Sequence, residues 1–450
     1  MSGVPVYRGK FGAREAERLL WRAGFGPFPG EAEKLAKKGL RRAVRSLTHP
    51  RGKGALYGPE PTDDDGNPLA PYDAYGHDLL WWLDRMVRSS QPLVERMALV
   101  WHDWFATGDV DSQRLSIAQI ELFKRRGLGS FRKLLLDVTR DPAMLVWLSG
   151  VDNTKDDPNE NYGREMMELF TLGASDPATG YPYTESDVRE QARALTGWTA
   201  DYEDDFGYTS FYYDPELHDF GRKRILHKKG KFDWRDSCEL CLRHKAHVPF
   251  FIDKLWSYFI GEPPSGRTRK ALQSLYRRND YAIRPVVEAI LLHPQLYRGP
   301  SLVKPPVVQI AGMLKARGRG IDTESWTWIS DQSGMRLFDP PNVAGWDETR
   351  WLDTSTFRGR WTAATRILRD EDIDPDDDYP KGENPDEAIA QALAYWGNPA
   401  LTDATRAELV GFCQRVEAAA THEWQQDYFR ALRQNALRML IATSPDLMTC

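Results

Sequence analysis

The 450-residue sequence lacks the signals of several large classes of protein. Its four cysteines are too few for a disulfide framework in a chain of this length. No apolar run reaches the length of a membrane span, and the N-terminal residues have no apolar core like that of a signal peptide. As it stands, the sequence predicts a cytoplasmic protein without a membrane span.

An excess of one charge is also missing. The chain has 60 Lys and Arg residues against 65 Asp and Glu residues, and its formal net charge is −5. Proteins that bind nucleic acids usually carry a strong basic excess. We therefore expect no nucleic-acid partner.

Several familiar catalytic motifs are absent. The sequence has no P-loop, no G-x-S-x-G nucleophile elbow, no H-E-x-x-H zinc motif and no dinucleotide fingerprint after a predicted strand. The segment CELCLRHKAH has thiol and imidazole side chains at intervals of three, which spreads them along a helix instead of around one tetrahedral zinc ion. Nucleotide binding and a four-ligand zinc site are therefore not expected.

Helical periodicity dominates what is present, and the 41% hydrophobic content is enough for a substantial core. We predict a mainly α, large multi-helical fold with a single core and long irregular loops. Alternating aromatic and polar residues between positions 198 and 233 predict one small β-hairpin as the only sheet. Residues 1–370 are predicted to form the main helical domain, 371–386 an acidic linker loop, and 387–450 a C-terminal helical segment packed on the main domain.

One predicted helix, within residues 157–173, has an unusual polar face. Asn159 or Asn161 after Pro158 supplies a start signal, and Gly173 supplies a stop. At 100° per residue, Arg164, Glu165 and Glu168 fall on the arc opposite the apolar residues. Such a face is usually solvated, with Arg164 and Glu168 forming an i,i+4 ion pair. A capping box formed by Thr184 and Asp187 predicts the start of the next helix.

A divalent metal site can be assembled from separate elements of this sequence. His102, Glu165 and His218 supply imidazole and carboxylate ligands, which leave coordination positions open for water or substrate. Glu168 or Asp219 would then act as general base. Lys223 could contact an anionic substrate. The identity of the metal is left open.

Six blocks of sequence carry a resemblance to a known family: LLWRAGFGP, PLVERMALVWHDWFAT, PNENYGREMMELFTLG, YTESDVREQARALTGW, HDFGRKRIL and LFDPPNVAGW. In this order they resemble the large bacterial domain-of-unknown-function family numbered 1800, over about residues 11–361. The resemblance implies a largely helical fold without a settled activity, and many exported relatives. The family's polar motif positions are matched by His102, Asn159, Glu160, Asn161, Arg164, Glu165, Glu168, His218, Asp219, Gly221 and Lys223, and Trp198 matches as well.

The chain departs from the family at the WHDWF block. The resemblance implies WHNHF there, so Trp104 stands where relatives have a second His, and Asp103 replaces an Asn. If that His binds a metal in relatives, this protein either uses Asp103 instead or has lost the ion.

Three hypotheses follow. The first is a metal-dependent enzyme, either a hydrolase or a non-haem oxygenase, which uses the His102, Glu165 and His218 site on a polar or anionic substrate. The second is a metal-free enzyme in which Glu165 or Glu168 pairs with Asp219 to cleave a glycan, and Trp101, Trp104 and Trp198 form sugar platforms. The third is a non-catalytic scaffold or partner-binding protein in which the motif residues form a buried polar network.

Overall fold

Helices make up most of the structure, a computed structural model that describes residues 3–108, 110, 112–174, 180, 182–203, 207–376, 379 and 383–450, apart from the side chain of residue 423. The mainly α fold with small β elements is therefore confirmed. In chain order the α-helices are α1 (Ala13–Arg22), α2 (Glu31–Ala36), α3 (Leu40–Thr48), α4 (His77–Arg88), α5 (Pro92–Trp104), α6 (Gln113–Arg126), α7 (Phe131–Thr139), α8 (Pro142–Trp147), α9 (Glu160–Glu165), α10 (Glu185–Leu195), α11 (Trp234–Arg243), α12 (His247–Ser257), α13 (Gly266–Arg278), α14 (Ile283–Leu291), α15 (Pro294–Arg298), α16 (Pro306–Arg317), α17 (Ser325–Gln332), α18 (Thr354–Leu368), α19 (Pro385–Tyr395), α20 (Asp403–Ala419), α21 (Glu423–Ala442) and α22 (Pro445–Met448).

The chain divides into two compact units, each made of three segments. Unit 1 comprises Met1–Arg8, Leu93–Gly299 and Phe338–Trp346, and unit 2 comprises Gly9–Pro92, Pro300–Leu337 and Asp347–Cys450. The predicted division into residues 1–370, 371–386 and 387–450 stays a prediction, because a compact unit need not be a domain.

An aromatic cluster forms the core of unit 1. Helix α5 is apolar over most of its surface, so it is buried on nearly all sides. The ring of Phe131 on α7 lies 5.9, 6.0 and 6.1 Å from the rings of Trp101, Trp104 and Phe105. Burial of each such side chain contributes about 1.5–3 kcal/mol or more, so this cluster is a major source of stability.

The helix predicted within residues 157–173 is present, but its second half is wider than an α-helix. The side chain of Asn159 accepts a hydrogen bond from the backbone N–H of Asn161 (2.9 Å) and caps α9. Helix α9 continues directly into a π-helix, Met166–Leu172, which ends at Gly173 with φ of 90°. At Gly163 a Cβ atom would lie 3.0 Å from the backbone N of Ala192, so only glycine allows α9 to approach α10 this closely. The capping box that starts α10 at Thr184 is also confirmed.

The described residues contain two antiparallel two-stranded sheets, whereas the sequence predicted one hairpin. Strands β1 (Trp198–Glu203) and β2 (Gly207–Tyr213) pair with Trp198 opposite Tyr213. Strands β3 (Lys223–Ile225) and β4 (Lys228–Gly230) pair with Lys223 opposite Gly230. A 3₁₀ turn, Pro215–Leu217, separates them because proline cannot donate to a continuing sheet.

Unit 2 contains a buried guanidinium that joins several of its segments. Arg360 on α18 donates hydrogen bonds to the carbonyl oxygens of Trp351 (2.8 Å) and Lys304 (2.8 Å) and to the side chain of Gln309. Its burial lowers the pKa of Arg360 to about 10. Across the described part of the chain, none of the helices combines the length and the apolarity that crossing a membrane requires.

Candidate functional site

The two carboxylates predicted on one helix face do lie together at the partly exposed side of that helix. Glu165 is the last residue of α9, and Glu168 is in the first turn of the π-helix. The hydroxyl of Tyr183 donates a hydrogen bond to Oε2 of Glu168 (3.4 Å). Short π-helical stretches occur frequently at functional sites, so this junction is a reasonable place for chemistry.

The environment of Glu165 disfavours its charge. Burial raises the pKa of Glu165, the negative charge of Glu168 raises it further, and Arg164 only partly opposes them. Burial, followed by the charge of Glu168, also raises the pKa of the Tyr183 phenol. Tyr183 therefore stays a hydrogen-bond donor, and Glu165 holds a proton to a higher pH than an ordinary glutamate.

Arg164 does not pair with Glu168, contrary to the prediction. Its guanidinium makes a bidentate contact with Glu185 (2.8 and 2.7 Å) and a second ion pair with Glu160 (3.2 Å). Glu185 lies in the first turn of α10 and competes successfully because it allows two parallel hydrogen bonds. Glu168 therefore keeps its carboxylate available.

The C-terminal end of the π-helix is bound by three side chains, the buried Trp104 and His247 and the half-buried Lys254, which we call the carbonyl clamp. The last carbonyls of a helix have no partner within it. Here the oxygens of three successive residues accept hydrogen bonds from Lys254 Nζ, Trp104 Nε1 and His247 Nδ1, at Leu169 (3.2 Å), Phe170 (3.1 Å) and Thr171 (3.0 Å) respectively. The clamp therefore satisfies an end that the wide helix leaves open.

Trp104 thus has a structural position that explains the departure from the family's WHNHF block. It is fully buried, stacks on Tyr258 with ring centroids 6.3 Å apart, and has the ammonium of Lys254 4.8 Å from its ring centroid. Trp101 is also fully buried and donates to the carbonyl of Gly127 (2.9 Å). Neither indole can serve as the sugar platform that was predicted, because a platform needs an exposed face. Trp198 is half-buried against Trp234.

Asp103, the second departure, joins the WHDWF and LFDPPNVAGW blocks. Its carboxylate accepts hydrogen bonds from the Tyr258 hydroxyl (2.5 Å) and the backbone N–H of Trp346 (2.8 Å). Gly345 has φ of 97°, and a Cβ atom there would lie 2.3 Å from Oδ1 of Asp103, so glycine is required. Burial raises the pKa of Asp103, while Tyr258 opposes the rise. Burial lowers the pKa of Lys254 to about 8.

His102 lies in an aromatic cage. Its ring is 5.4 Å from Trp346, 5.8 Å from Phe338 and 6.5 Å from Phe123, and it is almost completely buried. Burial lowers its pKa to about 4, although a hydrogen bond with Gln119 opposes this. The imidazole is therefore neutral at pH 7.

His218 and Asp219 hold the loop before β3. Nδ1 of His218 lies 2.9 Å from the carbonyl oxygen of Thr196, and burial lowers the pKa of this histidine. Asp219 accepts hydrogen bonds from Arg193 Nε (2.6 Å) and from the backbone N–H of Gly221 (2.7 Å). Although burial acts in the opposite direction, the Arg193 hydrogen bond lowers the pKa of Asp219. Asp219 is thus a poor candidate for a base.

Lys223, predicted to contact substrate, is instead inside the protein. Its side chain has no exposed surface, and its ammonium donates to the carbonyl oxygens of Asp219 and Gly221. Burial lowers its pKa. The substrate role of Lys223 stays a prediction, and the burial of its side chain disfavours it.

The three predicted metal ligands are not brought together. No group of three or more His, Cys, Asp or Glu side chains among the described residues could hold a metal ion. Glu168, one turn beyond Glu165, accepts a hydrogen bond from Tyr183, which precedes the start of α10. His218 forms a hydrogen bond with Thr196, which follows the end of the same helix. An 11-residue helix is ~16 Å long, which separates these environments, and His102 is enclosed by aromatic rings.

Lys254 and Tyr258 were missed by sequence reasoning. Both lie along α12 or just after it, in the segment HVPFFIDKLWSYF, which resembles an ordinary core helix. A lone lysine within so apolar a segment is a signal for a buried partner, because an unpaired charge there would be costly.

Comparison with known proteins identifies a family. The family model described as "Protein of unknown function (DUF1800)" matches residues 18–449. The chain therefore belongs to the DUF1800 family, and the match reaches further toward the C-terminus than the resemblance over residues 11–361. Neither the comparison with curated proteins nor that with solved structures gives a match.

Proposed function

We propose that this DUF1800 protein is an acid–base enzyme of the hydrolase class, whose reaction is carried by the carboxyl groups of Glu165 and Glu168. The supporting observation is their unequal environment at the α9 and π-helix junction. Glu165 is partly desolvated beside a second carboxylate, whereas Glu168 accepts a hydrogen bond from Tyr183. Pairs of titratable groups in unequal environments commonly divide the roles of acid and base.

In this proposal Glu165 donates a proton to the leaving group and Glu168 activates water. Tyr183 positions the Glu168 carboxylate through its hydrogen bond. The substrate class is a glycan, because glycosidic bonds are cleaved by a carboxylic acid and a carboxylate acting together. Glu168 takes the place of Asp219 in the predicted pair, since Asp219 is engaged by Arg193.

The test is a hydrolysis assay of the purified protein on a panel of polysaccharides and chromogenic glycosides. Glu165→Gln and Glu168→Gln should each lower the rate by about 10²–10⁴-fold, the usual contribution of a general acid or base. The matched control is Glu216→Gln, at an exposed position of unit 1, which should retain wild-type activity. Full activity in Glu165→Gln would refute the acid role, and no hydrolysis of any member of the panel would remove the glycan class.

The predicted divalent metal stays a proposal, with Glu165 and Glu168 as its ligands. Two carboxylates with water and substrate oxygens can hold Mg²⁺, although His102 and His218 would then take no part. Calorimetric titration of the protein with Mg²⁺ and Mn²⁺ checks this. Saturable binding that disappears in Glu165→Gln and Glu168→Gln would support it.

A non-catalytic scaffold is the second candidate, and one observation favours it. The motif side chains of Trp104, Asp219 and Lys223 are all hydrogen-bonded to protein groups, as expected for a network that fixes helices. On this hypothesis, the two glutamine variants change neither turnover on any substrate nor stability. The same hydrolysis assay therefore decides between the two functions.

A further inference from the structure

The β3 and β4 hairpin presents a dense group of positive charges in a protein of net charge −5. Arg222, Arg224, Lys229 and Lys231 are all exposed, and we call them the cationic face. Arg224 and Lys229 lie on the two strands, and Arg222 and Lys231 flank the strands two residues away from them along the chain. In the described ranges, no carboxylate forms an ion pair with any of them, in contrast to Arg132, Arg164 and Arg193 of the same unit.

The register places like charges directly opposite each other. Arg224 pairs with Lys229 across the hairpin. The backbone N–H of Arg224 donates to Glu190 and not to β4, so this is a non-hydrogen-bonded pair, in which side chains approach most closely. Like charges at such positions destabilise a sheet. The arrangement therefore works against folding, and a ligand of opposite charge would relieve it.

Protection of a sheet edge does not explain the charges of Arg222 and Arg224 on the β3 side. Exposed edges often carry lysine to prevent pairing with other chains. Here α10 already covers the outer edge of β3. Every third side chain of α10 forms a hydrogen bond with the backbone of every second residue along this edge. The bonds are Asp187 Oδ1 with Leu226 N (2.8 Å), Glu190 Oε2 with Arg224 N (2.8 Å), and Arg193 NH1 with Arg222 O (3.4 Å).

The hairpin is also rigid. The ammonium of Lys223 fixes its base from inside, as described above. Its turn holds Leu226 and His227 at φ of 46° and 65°, a conformation that costs energy for residues other than glycine and persists only where the surroundings enforce it. A rigid surface loses little entropy on binding.

An exposed aromatic ring, Phe220, lies two residues before Arg222 in the chain. The side chain of Phe220 is 61% exposed, and its ring is held edge-on to that of His218 with centroids 4.8 Å apart. An exposed ring beside cations matches a polymer that carries both anionic groups and apolar sugar faces. Nucleic acids fit less well, because their charge density requires a strongly basic domain, whereas this chain has a pI near 6.1.

We propose that the cationic face and Phe220 form a docking surface for an anionic polysaccharide, such as a polymer of uronic acids. The surface goes beyond the proposed function, because it binds whether or not Glu165 and Glu168 catalyse. The carboxylates of the polymer bind between the side chains of Arg224 and Lys229, and the apolar face of a sugar packs on the Phe220 ring.

The test measures binding of polygalacturonate to the full chain by calorimetry at low salt. Wild-type protein should bind, and its affinity should fall as salt is added. Arg224→Gln with Lys229→Gln should weaken binding by about tenfold or more, because two charged contacts are lost. The matched control, Lys34→Gln with Lys37→Gln, removes two exposed cations from α2 and its C-cap and should bind like wild type.

Several results would overturn the proposal. These are absence of wild-type binding, equal weakening in the Lys34 and Lys37 control, or tighter binding of a single-stranded oligonucleotide or of anionic vesicles at the same salt concentration. The Arg224 and Lys229 variant should melt at or above the wild-type temperature, since repulsion is removed; a lower melting temperature would indicate a structural role instead. Glu165→Gln should bind polygalacturonate normally, which separates this surface from the proposed active site.

Discussion

The two parts of the helix that spans residues 160–172 satisfy their polar groups in different ways. At its C-terminal end, each of three carbonyls is bound by a donor side chain from α5 or α12. On its outer face, the described residues give the carboxylates of Glu165 and Glu168 one hydrogen bond, from Tyr183 to Glu168. Both sets belong to one continuous sequence block. At this helix, the number of protein partners, and not the presence of a polar motif, distinguishes the clamped carbonyls from the carboxylates proposed to be reactive.

The largest effect should come from breaking the carbonyl clamp at Trp104. Trp104→Ala removes a fully buried indole, which should lower the free energy of unfolding by about 3–5 kcal/mol. Trp104→Phe keeps an aromatic ring but loses the donor to Phe170, and should cost about 1–3 kcal/mol. Urea unfolding followed by circular dichroism measures both. Trp424→Ala, at a 68% exposed position, is the control and should change little.

The second largest effect should come from low pH, because protonation of His247 weakens the carbonyl clamp. Burial lowers the pKa of His247 to about 4, below the ordinary value of about 6.5 in the unfolded chain. The unfolded state therefore binds a proton first as the pH falls, and stability present above pH ~6.5 is lost down to pH ~4, by about 3 kcal/mol. Unfolding free energies measured across this range check it. His247→Gln should make the profile shallower but not flat, because burial also lowers the pKa of His102 to about 4. An unchanged slope would contradict the assignment.

Lys254→Met should have a smaller effect, because it removes one donor while keeping most of the apolar stem. We expect a loss of about 1–2 kcal/mol in the free energy of unfolding as the Leu169 carbonyl loses its partner. Lys245→Met, an exposed lysine of the same unit, is the matched control. Equal values for the two variants would show that the clamp does not depend on the ammonium.

The smallest effect on the free energy of unfolding should come from replacing the carboxylate of Glu165. Burial and Glu168 raise the pKa of Glu165, so its charge opposes folding at pH 7 and its contribution improves as the pH falls, opposite in sign to that of His247. Glu165→Gln should therefore change the free energy of unfolding by no more than about 0.5 kcal/mol. A loss comparable to that of Trp104→Ala would erase the contrast between the two parts of the helix.

Local signals in the sequence predicted elements well. The helix within residues 157–173, its end at Gly173 and the capping box at Thr184 depend on neighbouring residues, and all three are confirmed. The π-helix was not predictable, because the apolar spacing of Met166, Phe170 and their neighbours suits both helix types. The second hairpin was missed since Pro215 was not taken as a break.

The site was less predictable because motifs give residue types without their partners. His102, Asp219 and Lys223 look reactive in the sequence, and only the structure gives the aromatic cage, Arg193 and the carbonyls that occupy them. Trp104 looked like a lost ligand, whereas it binds Phe170. Such pairings join residues far apart in the chain, so no local pattern records them.

The short segment Phe338–Trp346 is synthesised long after the residues of unit 1 that it contacts. It supplies two rings of the cage around His102 and the N–H that binds Asp103, yet it leaves the ribosome roughly 240 residues after them, which at about 5–20 residues per second is roughly 10–50 s. Throughout that interval the nascent chain carries the WHDWF block without its cover. Truncated products that stop before residue 338 should therefore expose it to chaperones and proteases.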